Sequence, residues 1–338
     1  MQYRTLGRTG IKVSPYALGA MMFGRAAGVG NPDHDDAIRI IHRALDAGIN
    51  VIDTSDVYSY GESEEIVGEA LRGRRDKVVI ATKFGRPMSD DPNEQGMSRR
   101  WIMAAVEGSL RRLGTDYIDV YQVHRLDPGT DVEETLSALT DLVRSGKVRA
   151  VGSSNTPVSE IVEAQWSAER RGLERFRTEQ VAYSILNRGV ESEVLPAAQR
   201  YGMGTLIWGP LAQGTLTGRI RKGRETDLRR GAFFKHISDE RRLDVVEQLV
   251  PLAEKAGLPL IHLAMAFVTA HPGVTSALLG ARTMEQLEDL IAGFDVTLSA
   301  ELLDRIDEIV PPGTDVGRLD QDYRTPPLLD AALRRRAA

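Results

Sequence analysis

At 338 residues, with 42% hydrophobic and 27% charged residues, the chain has the composition of a folded protein with a sizeable core, not of a disordered one. A net charge of −5 with scattered Lys and Arg gives no reason to expect nucleic acid or another polyanion as partner, and Arg334, Arg335 and Arg336 read as a solvated tail. The absence of cysteine excludes disulfides, thiol catalysis and zinc–thiolate sites, and no apolar run approaches the length of a membrane span. Met1 leads into a polar segment instead of a signal peptide, so a soluble cytoplasmic protein with no membrane or nucleic-acid partner is expected.

The predicted elements begin with a hairpin over residues 2–14, in which Tyr3, Thr5, Ile11 and Val13 alternate around a turn from Gly7 to Gly10. A buried strand follows at 17–21 and breaks at Gly24. Asn31, Pro32 and Asp33 announce a helix, and Ala37, Ile40, Ile41, Ala44 and Leu45 recur at helical spacing until Gly48. Strand and helix then alternate. The strands fall at 51–53, 78–82, 118–123, 149–153, 179–183, 205–208 and 275–279. The helices fall at 63–71, 98–113, 132–144, 158–171, 194–201, 243–256 with 260–270, and 284–292.

Counting 17–21 as the first, these are eight strand-then-helix units with no composition break between them. Short strands apolar on both faces predict a parallel sheet covered by helices. Eight units predict closure into a (β/α)8 TIM barrel spanning 1–338 as one domain, with an N-terminal hairpin. An extra helix at 301–310 and a Pro-rich tail follow, the tail lying across one barrel end. An open doubly wound sheet would need a glycine-rich turn after an early strand; Gly24, Gly28 and Gly30 have no helix start at the right place and lead into Asn31-Pro32.

In such a barrel the chemistry gathers at the carboxyl ends of the strands. Asp53 ends the second strand, Tyr58 sits in the following turn, and Gly61 and Ser63 break and cap the chain before a helix. Lys83 follows the third strand, His124 the fourth and Ser154-Asn155 the fifth; Gln180 lies inside the sixth, and Trp208 with Gly209-Pro210 closes the seventh. Each has a structural alternative: Asp53 as a turn cap, Lys83 on the surface, His124 as a bonded core histidine, Tyr58 and Trp208 as packing. Ionisable residues ending three consecutive strands favour one catalytic rim.

In type, order and spacing, Asp53, Tyr58, Lys83 and His124 resemble the catalytic tetrad of the aldo-keto reductase superfamily. The segments YRTLGRTGIKVSPYALGAMMFG, DTSDVYSYGESEEIVGEAL, VVIATKFG, DVYQVHRLDP, AVGSSN, QVAYSILNR, IWGPLAQGTLTG and LLGARTMEQLEDL are similar to that family's, over Tyr3 to Ile309. The likeness is greatest to the branch that holds bacterial reductases and potassium-channel β subunits. It implies reduction of aldehydes or ketones by hydride from NADPH, with NADH the weaker alternative.

Adding hydride to a carbonyl leaves negative charge on oxygen, so a proton must arrive there. A free tyrosine, with a pKa of about 10, is a reluctant donor near neutrality. Lys83 beside Tyr58 is expected to favour the phenolate and bring the group nearer working pH, with Asp53 holding the ammonium. His124 is expected to donate a hydrogen bond to the substrate oxygen. A cofactor must supply the hydride, since no side chain does.

By resemblance, Ser154, Asn155 and Gln180 hold the nicotinamide carboxamide and Trp208 stacks on its ring, where many relatives have tyrosine. Gly19, Met21 and Asp53 also fall among the cofactor positions, and the backbone of Gly209, Pro210, Leu211, Gly214, Leu216 and Gly218 would face the pyrophosphate. The basic insert at 219–230 either folds over it or is a solvated loop. Gly280, Ala281, Arg282, Gln286 and Asp289 match the adenosine end, where a planar guanidinium at Arg282 suits a 2′-phosphate. Leu290 stands where relatives often carry an adenine-contacting asparagine. Met22, Phe23 and Phe84, with Tyr58 and His124, are expected to line an apolar mouth for a carbonyl of modest size.

Three rival functions remain. One is an NADP(H)-binding regulatory subunit of a larger assembly. A metal-dependent hydrolase is disfavoured because only His124 of the six histidines is well placed. A Schiff-base enzyme would use Lys83 as nucleophile.

Overall fold

An antiparallel hairpin, β1 (Arg4–Thr5) and β2 (Lys12–Val13), leads into eight parallel strands that close into a barrel. These are β3 (Tyr16–Gly19), β4 (Val51–Asp53), β5 (Val79–Phe84), β6 (Ile118–Val123), β7 (Val148–Ser154), β8 (Thr178–Ala182), β9 (Gly204–Trp208) and β10 (Ser276–Leu279). Neighbours pair in chain order, and β10 returns to β3 to shut the ring. The computed structural model describes residues 1–25, 30–223, 235–317 and 330–335.

The surrounding helices are α1 (His34–Asp46), α2 (Glu62–Ala70), α3 (Arg99–Leu113), α4 (Val132–Arg144), α5 (Val158–Arg171), α6 (Val194–Tyr201), α7 (Glu240–Lys255), α8 (Leu260–Ala270) and α9 (Met284–Ile291). A further helix, α10 (Ala300–Ile309), follows the eighth unit. Their starts are set by side-chain caps: Asp33, Ser98, Asp131, Asp239, Thr283 and Ser299 each accept a backbone N–H of the first turn. Among the described residues no single helix is long and apolar enough to cross a membrane.

Two apolar layers build the barrel. The larger lies between strands and helices; the smaller fills the floor of the barrel with Val51, Ala81, Val120, Leu206 and Leu278. Leu6 and Val13 of the hairpin join it and close the floor from below. The closure is tight: at Gly7, with φ 54°, an added Cβ would come within 2.4 Å of the Gly204 nitrogen. Because side chains alternate along a strand, the next inward positions on β4, β5 and β6 are Asp53, Lys83 and Gln122. The floor is therefore apolar and the layer above it is ionic.

Two local expectations change. The first strand ends at Gly19, and Ala20–Met22 form one 3-10 turn that exposes Met21 and buries Met22. Ser63 is not a cap; Gly61, at φ 97°, occupies the N-cap position of α2. Ser63 lies buried inside α2, where its hydroxyl donates to the Ala20 carbonyl at 2.8 Å. The tail beyond α10 begins by running along the loop after β8, with Val316 donating to the Leu186 carbonyl at 2.9 Å. The rest of the tail at 318–329, residues 224–230 of the basic insert, Gly28 and Arg336 lie outside the described residues.

Candidate active site

Asp53 Oδ1 accepts from Lys83 Nζ at 2.6 Å, and both side chains are essentially without solvent contact. The same ammonium donates to the Thr54 carbonyl at 2.9 Å and to the Tyr58 hydroxyl at 3.5 Å. The second oxygen of Asp53 accepts from Gln180 Nε2 at 2.7 Å and from Gln122 Nε2 at 3.5 Å. Neighbouring strands β4, β5 and β6 thus supply a carboxylate, a cation and an amide at one level, and β8 adds a second amide. Tyr58 stands above them in a 3-10 turn, Tyr58–Gly61, with its ring edge-on to His124 at a centroid distance of 5.8 Å. The four residues expected to converge do so.

Burial dominates the electrostatics. It draws the Lys83 ammonium down, but Asp53 and Tyr58 more than offset this and leave the group above its ordinary value. Lys83 is therefore a cation held in place, not a free amine, which removes the basis for a Schiff-base nucleophile. Burial pushes the Tyr58 phenol up, and the Lys83 cation reverses only part of that rise. The expectation that Lys83 brings the resting phenol nearer neutrality is corrected: desolvation outweighs the cation, and Tyr58 rests as a neutral O–H donor. Burial, helped by the cations Lys83, Arg125 and Arg86, holds His124 well below the usual imidazole range.

Residues 16–311 match the sequence model of the Aldo/keto reductase family. The chain is 41% identical over 328 residues to a Bacillus subtilis protein named uncharacterized oxidoreductase YrpG, covering 93% of this chain and 97% of that one. It is 36% identical to a probable voltage-gated potassium channel subunit beta of Oryza sativa subsp. japonica, covering 92% and 97%. It is also 34% identical to the versiconal hemiacetal acetate reductase of Aspergillus parasiticus, covering 92% and 98%. The chain belongs to the aldo/keto reductase family. It is an oxidoreductase of a family that uses NAD(P)H and acts on small molecules.

For such a reductase the positions expected around a nicotinamide dinucleotide fall into two groups. The first group forms a connected rim. Trp208 Nε1 donates to Asn155 Oδ1 at 2.9 Å and Asn155 Nδ2 donates to Ser154 Oγ at 2.6 Å, tying the end of β9 to the end of β7. With its nitrogen on Asp53, Gln180 keeps its amide oxygen as an acceptor without a partner among the described residues. Gly19 ends β3, Met21 is exposed beside it, and Pro210 is buried next to Trp208 and Gly209. Arg282 offers a guanidinium with no hydrogen-bond or ion-pair partner among the described residues, while its backbone N–H is held by Gln286 Oε1 at 2.9 Å. These donors and acceptors fit a nicotinamide amide at one end and a phosphate at the other.

The second group is partly committed elsewhere. The amides of Gly214 and Leu216 close the turn on the Leu211 carbonyl at 2.9 and 3.1 Å, so neither is left for a pyrophosphate. The side chains of Leu216 and Ala281 lie in the core; Gly280 is exposed and offers only backbone. Gln286 spends its oxygen on Arg282 but keeps its amide nitrogen, and Asp289 pairs its backbone carbonyl with His262 Nε2 at 2.7 Å while its carboxylate stays 40% exposed. Leu290 is buried in the core, which accounts for an apolar residue at that position.

The expected apolar mouth is also corrected. Phe84 is fully buried on the helix side of β5, stacked on Tyr121 with ring centroids 4.7 Å apart. Strand alternation sends Lys83 inward and Phe84 outward. Phe23 is fully buried in the same core and Met22 is 3% exposed. Among the described residues, Met21 and Tyr60 are large side chains left exposed near this end.

Sequence reasoning missed Gln122, Ser55 and Asp56. Gln122 was findable, since it sits two residues before His124 and so shares the inward face of β6. Ser55 Oγ lies 3.0 Å from His124 Nδ1 and 3.1 Å from Asp56 Oδ1. Backbone strain was not readable from sequence. Among the described residues the non-glycine positions at positive φ are Ser59, Tyr60, Asn155, Ala212 and Gln213. All five follow strands β4, β7 and β9 at the same barrel end, and such strain, at about 1–3 kcal/mol each, concentrates at ligand-binding loops.

Proposed function

We propose that this chain reduces aldehyde or ketone carbonyls to alcohols using NADPH, with Tyr58 as the general acid. The observation that carries this is the chain Asp53–Lys83–Tyr58, at 2.6 and 3.5 Å, in which a buried ion pair meets a half-buried phenol at the carboxyl end of the barrel. A bound reduced nicotinamide would supply the hydride. Ser154, Asn155, Gln180 and Trp208 would hold its amide and ring, and Arg282 a 2′-phosphate. The Tyr58 O–H gives its proton to the carbonyl oxygen as charge builds there. Lys83 then lies beside a new phenolate, so its charge acts on a state that exists only after proton transfer has begun. Asp53 keeps the ammonium aimed, and His124 orients the carbonyl.

Replacing Tyr58 by Phe tests the assignment. Carbonyl reduction, followed with NADPH and 4-nitrobenzaldehyde, should fall by about 10²–10⁴-fold. NADPH affinity, read from quenching of Trp208 fluorescence, should stay within a few-fold. Turnover near that of the parent protein would end the general-acid role. The likeness to a probable channel β subunit supports a second reading, a cofactor-binding regulatory subunit. Slow turnover limited by cofactor release, together with a stable complex with another protein, would favour it.

A further inference from the structure

Ser55 is the hub of a buried chain that leads from His124 into the barrel wall. Its hydroxyl lies 3.0 Å from His124 Nδ1, 3.1 Å from Asp56 Oδ1 and 3.5 Å from the Lys83 carbonyl oxygen. Ser55 is fully buried and Asp56 is 1% exposed. Asp56 Oδ2 has no hydrogen-bond partner among the described residues. A hydroxyl has one proton to donate, and a neutral imidazole has one ring N–H. The three groups therefore share too few protons for every pair to be donated in both directions.

Two arrangements satisfy the chain. If Asp56 is ionised, its carboxylate is the strongest acceptor and takes the Ser55 proton. Ser55 then accepts from His124 Nδ1–H, and Nε2, on the other side of the ring, presents a lone pair. If Asp56 is protonated, its O–H donates to Ser55 and Ser55 donates to Nδ1. The ring proton then sits on Nε2. Only the second arrangement lets His124 donate to a carbonyl oxygen through Nε2.

We infer that Asp56 is a positioning residue that acts through Ser55 to set which ring nitrogen of His124 carries the proton. This rests on the reading above that His124 meets the substrate carbonyl. The groups facing Asp56 support the protonated arrangement. Glu64 of α2 presents a like charge, Arg112 of α3 an opposite one, and Tyr121 of β6 a buried hydroxyl without a partner. Burial, then Glu64, push the Asp56 carboxyl up to about 7 against Ser55, the Val57 N–H and Arg112. On ionisation the Asp56 proton passes to Ser55 Oγ, the Ser55 proton passes to His124 Nδ1, and Nε2 gives up its proton to solvent: the Asp56 O–H, the old Ser55 O–H and the Nε2–H bonds break, a new Ser55 O–H and an Nδ1–H form, and one proton leaves the chain.

The test is the 15N spectrum of histidine-labelled protein, free of cofactor and substrate, with the His124 signals assigned by their loss in His124→Asn. In the parent protein the ring proton should sit on Nε2 near pH 6 and on Nδ1 above about pH 8. In Asp56→Asn the amide N–H donates permanently to Ser55, so Nε2–H should persist across that range. Ser55→Ala should abolish the pH dependence even with Asp56 present. In turnover, kcat of the parent should fall at least ~10-fold over the same range and stay flat in Asp56→Asn. One unchanging tautomer in the parent, or a switch that survives Ser55→Ala, overturns the inference. The tautomer is read without turnover, so it stands or falls separately from carbonyl reduction; full activity of Tyr58→Phe would sink only the latter.

Discussion

Lys83 and Asp53 form the most enclosed ion pair in the described structure, with side chains 1% and 3% exposed and 2.6 Å apart. At an effective dielectric of about 20, two unit charges at that distance attract by roughly 6 kcal/mol, against which both desolvation costs must be set. Lys83→Met leaves Asp53 with only the amides of Gln180 and Gln122. Asp53→Asn leaves an ammonium with the Thr54 carbonyl and the Tyr58 hydroxyl. Each single change should therefore destabilise the protein by about 3–5 kcal/mol, since an uncompensated charge remains buried. The double variant removes both charges and should cost about as much as one of them, a coupling of roughly 3 kcal/mol. Equilibrium unfolding in urea, followed by fluorescence and circular dichroism on all four proteins, measures this cycle. Additive effects, with coupling under about 0.5 kcal/mol, would refute the view that the two charges sustain each other.

Two further outcomes follow from the same structure. Arg282→Ala should raise KM for NADPH by about 10-fold or more and leave KM for NADH little changed, because only the former loses a charge-assisted hydrogen bond. Equal effects on both, or a parent enzyme that prefers NADH, would remove the 2′-phosphate role. Burial pushes Glu179 up to about 7, while its hydroxyl and amide partners Ser153 and Thr156 pull the other way. Its folded value lies above the unfolded one, so the stability it contributes is present at acid pH and lost as pH rises through about 7. The urea midpoint should be lower at pH 8 than at pH 5.5, and Glu179→Gln should reduce the difference, leaving the share that Asp56, also raised to about 7, contributes. A midpoint that climbs over that interval would contradict the assignment.

Elements with strong local signals were legible to the residue. The spacing predicted helices at 132–144 and 158–171, and α4 and α5 occupy those spans because Asp131 caps one and Gly172, in the left-handed region, ends the other. The convergence of Asp53, Lys83 and His124 was also legible, since barrel closure brings consecutive strand ends together. Side-chain direction was less so. Phe84 follows an inward lysine and must face outward, a consequence of strand alternation that composition alone does not reveal. Met21 and Met22 exchanged environments because the strand ends at Gly19 and turns into a 3-10 helix. The link through Ser55 and Asp56 has no sequence signature, because it depends on how the turn after β4 folds against β6.

The sign of the Tyr58 shift depended on magnitudes that no motif carries. A cation 3.5 Å from a phenol lowers its pKa, and enclosure raises it; which wins depends on how completely the cleft excludes water. Here enclosure wins although Tyr58 is only half-buried, and if Tyr58 is the general acid, as proposed, the consequence suits reduction better than the opposite outcome would. A phenol already ionised at rest would have no proton to give, and its charge would be neutralised by Lys83 before any carbonyl arrived. In the proposed role, a neutral phenol beside a fixed ammonium would keep its proton until charge develops on the substrate oxygen. The same exclusion of water then makes the Lys83–phenolate attraction stronger than it would be at a surface. Desolvation and the ion pair thus oppose each other in the resting protein and act together once the proton moves.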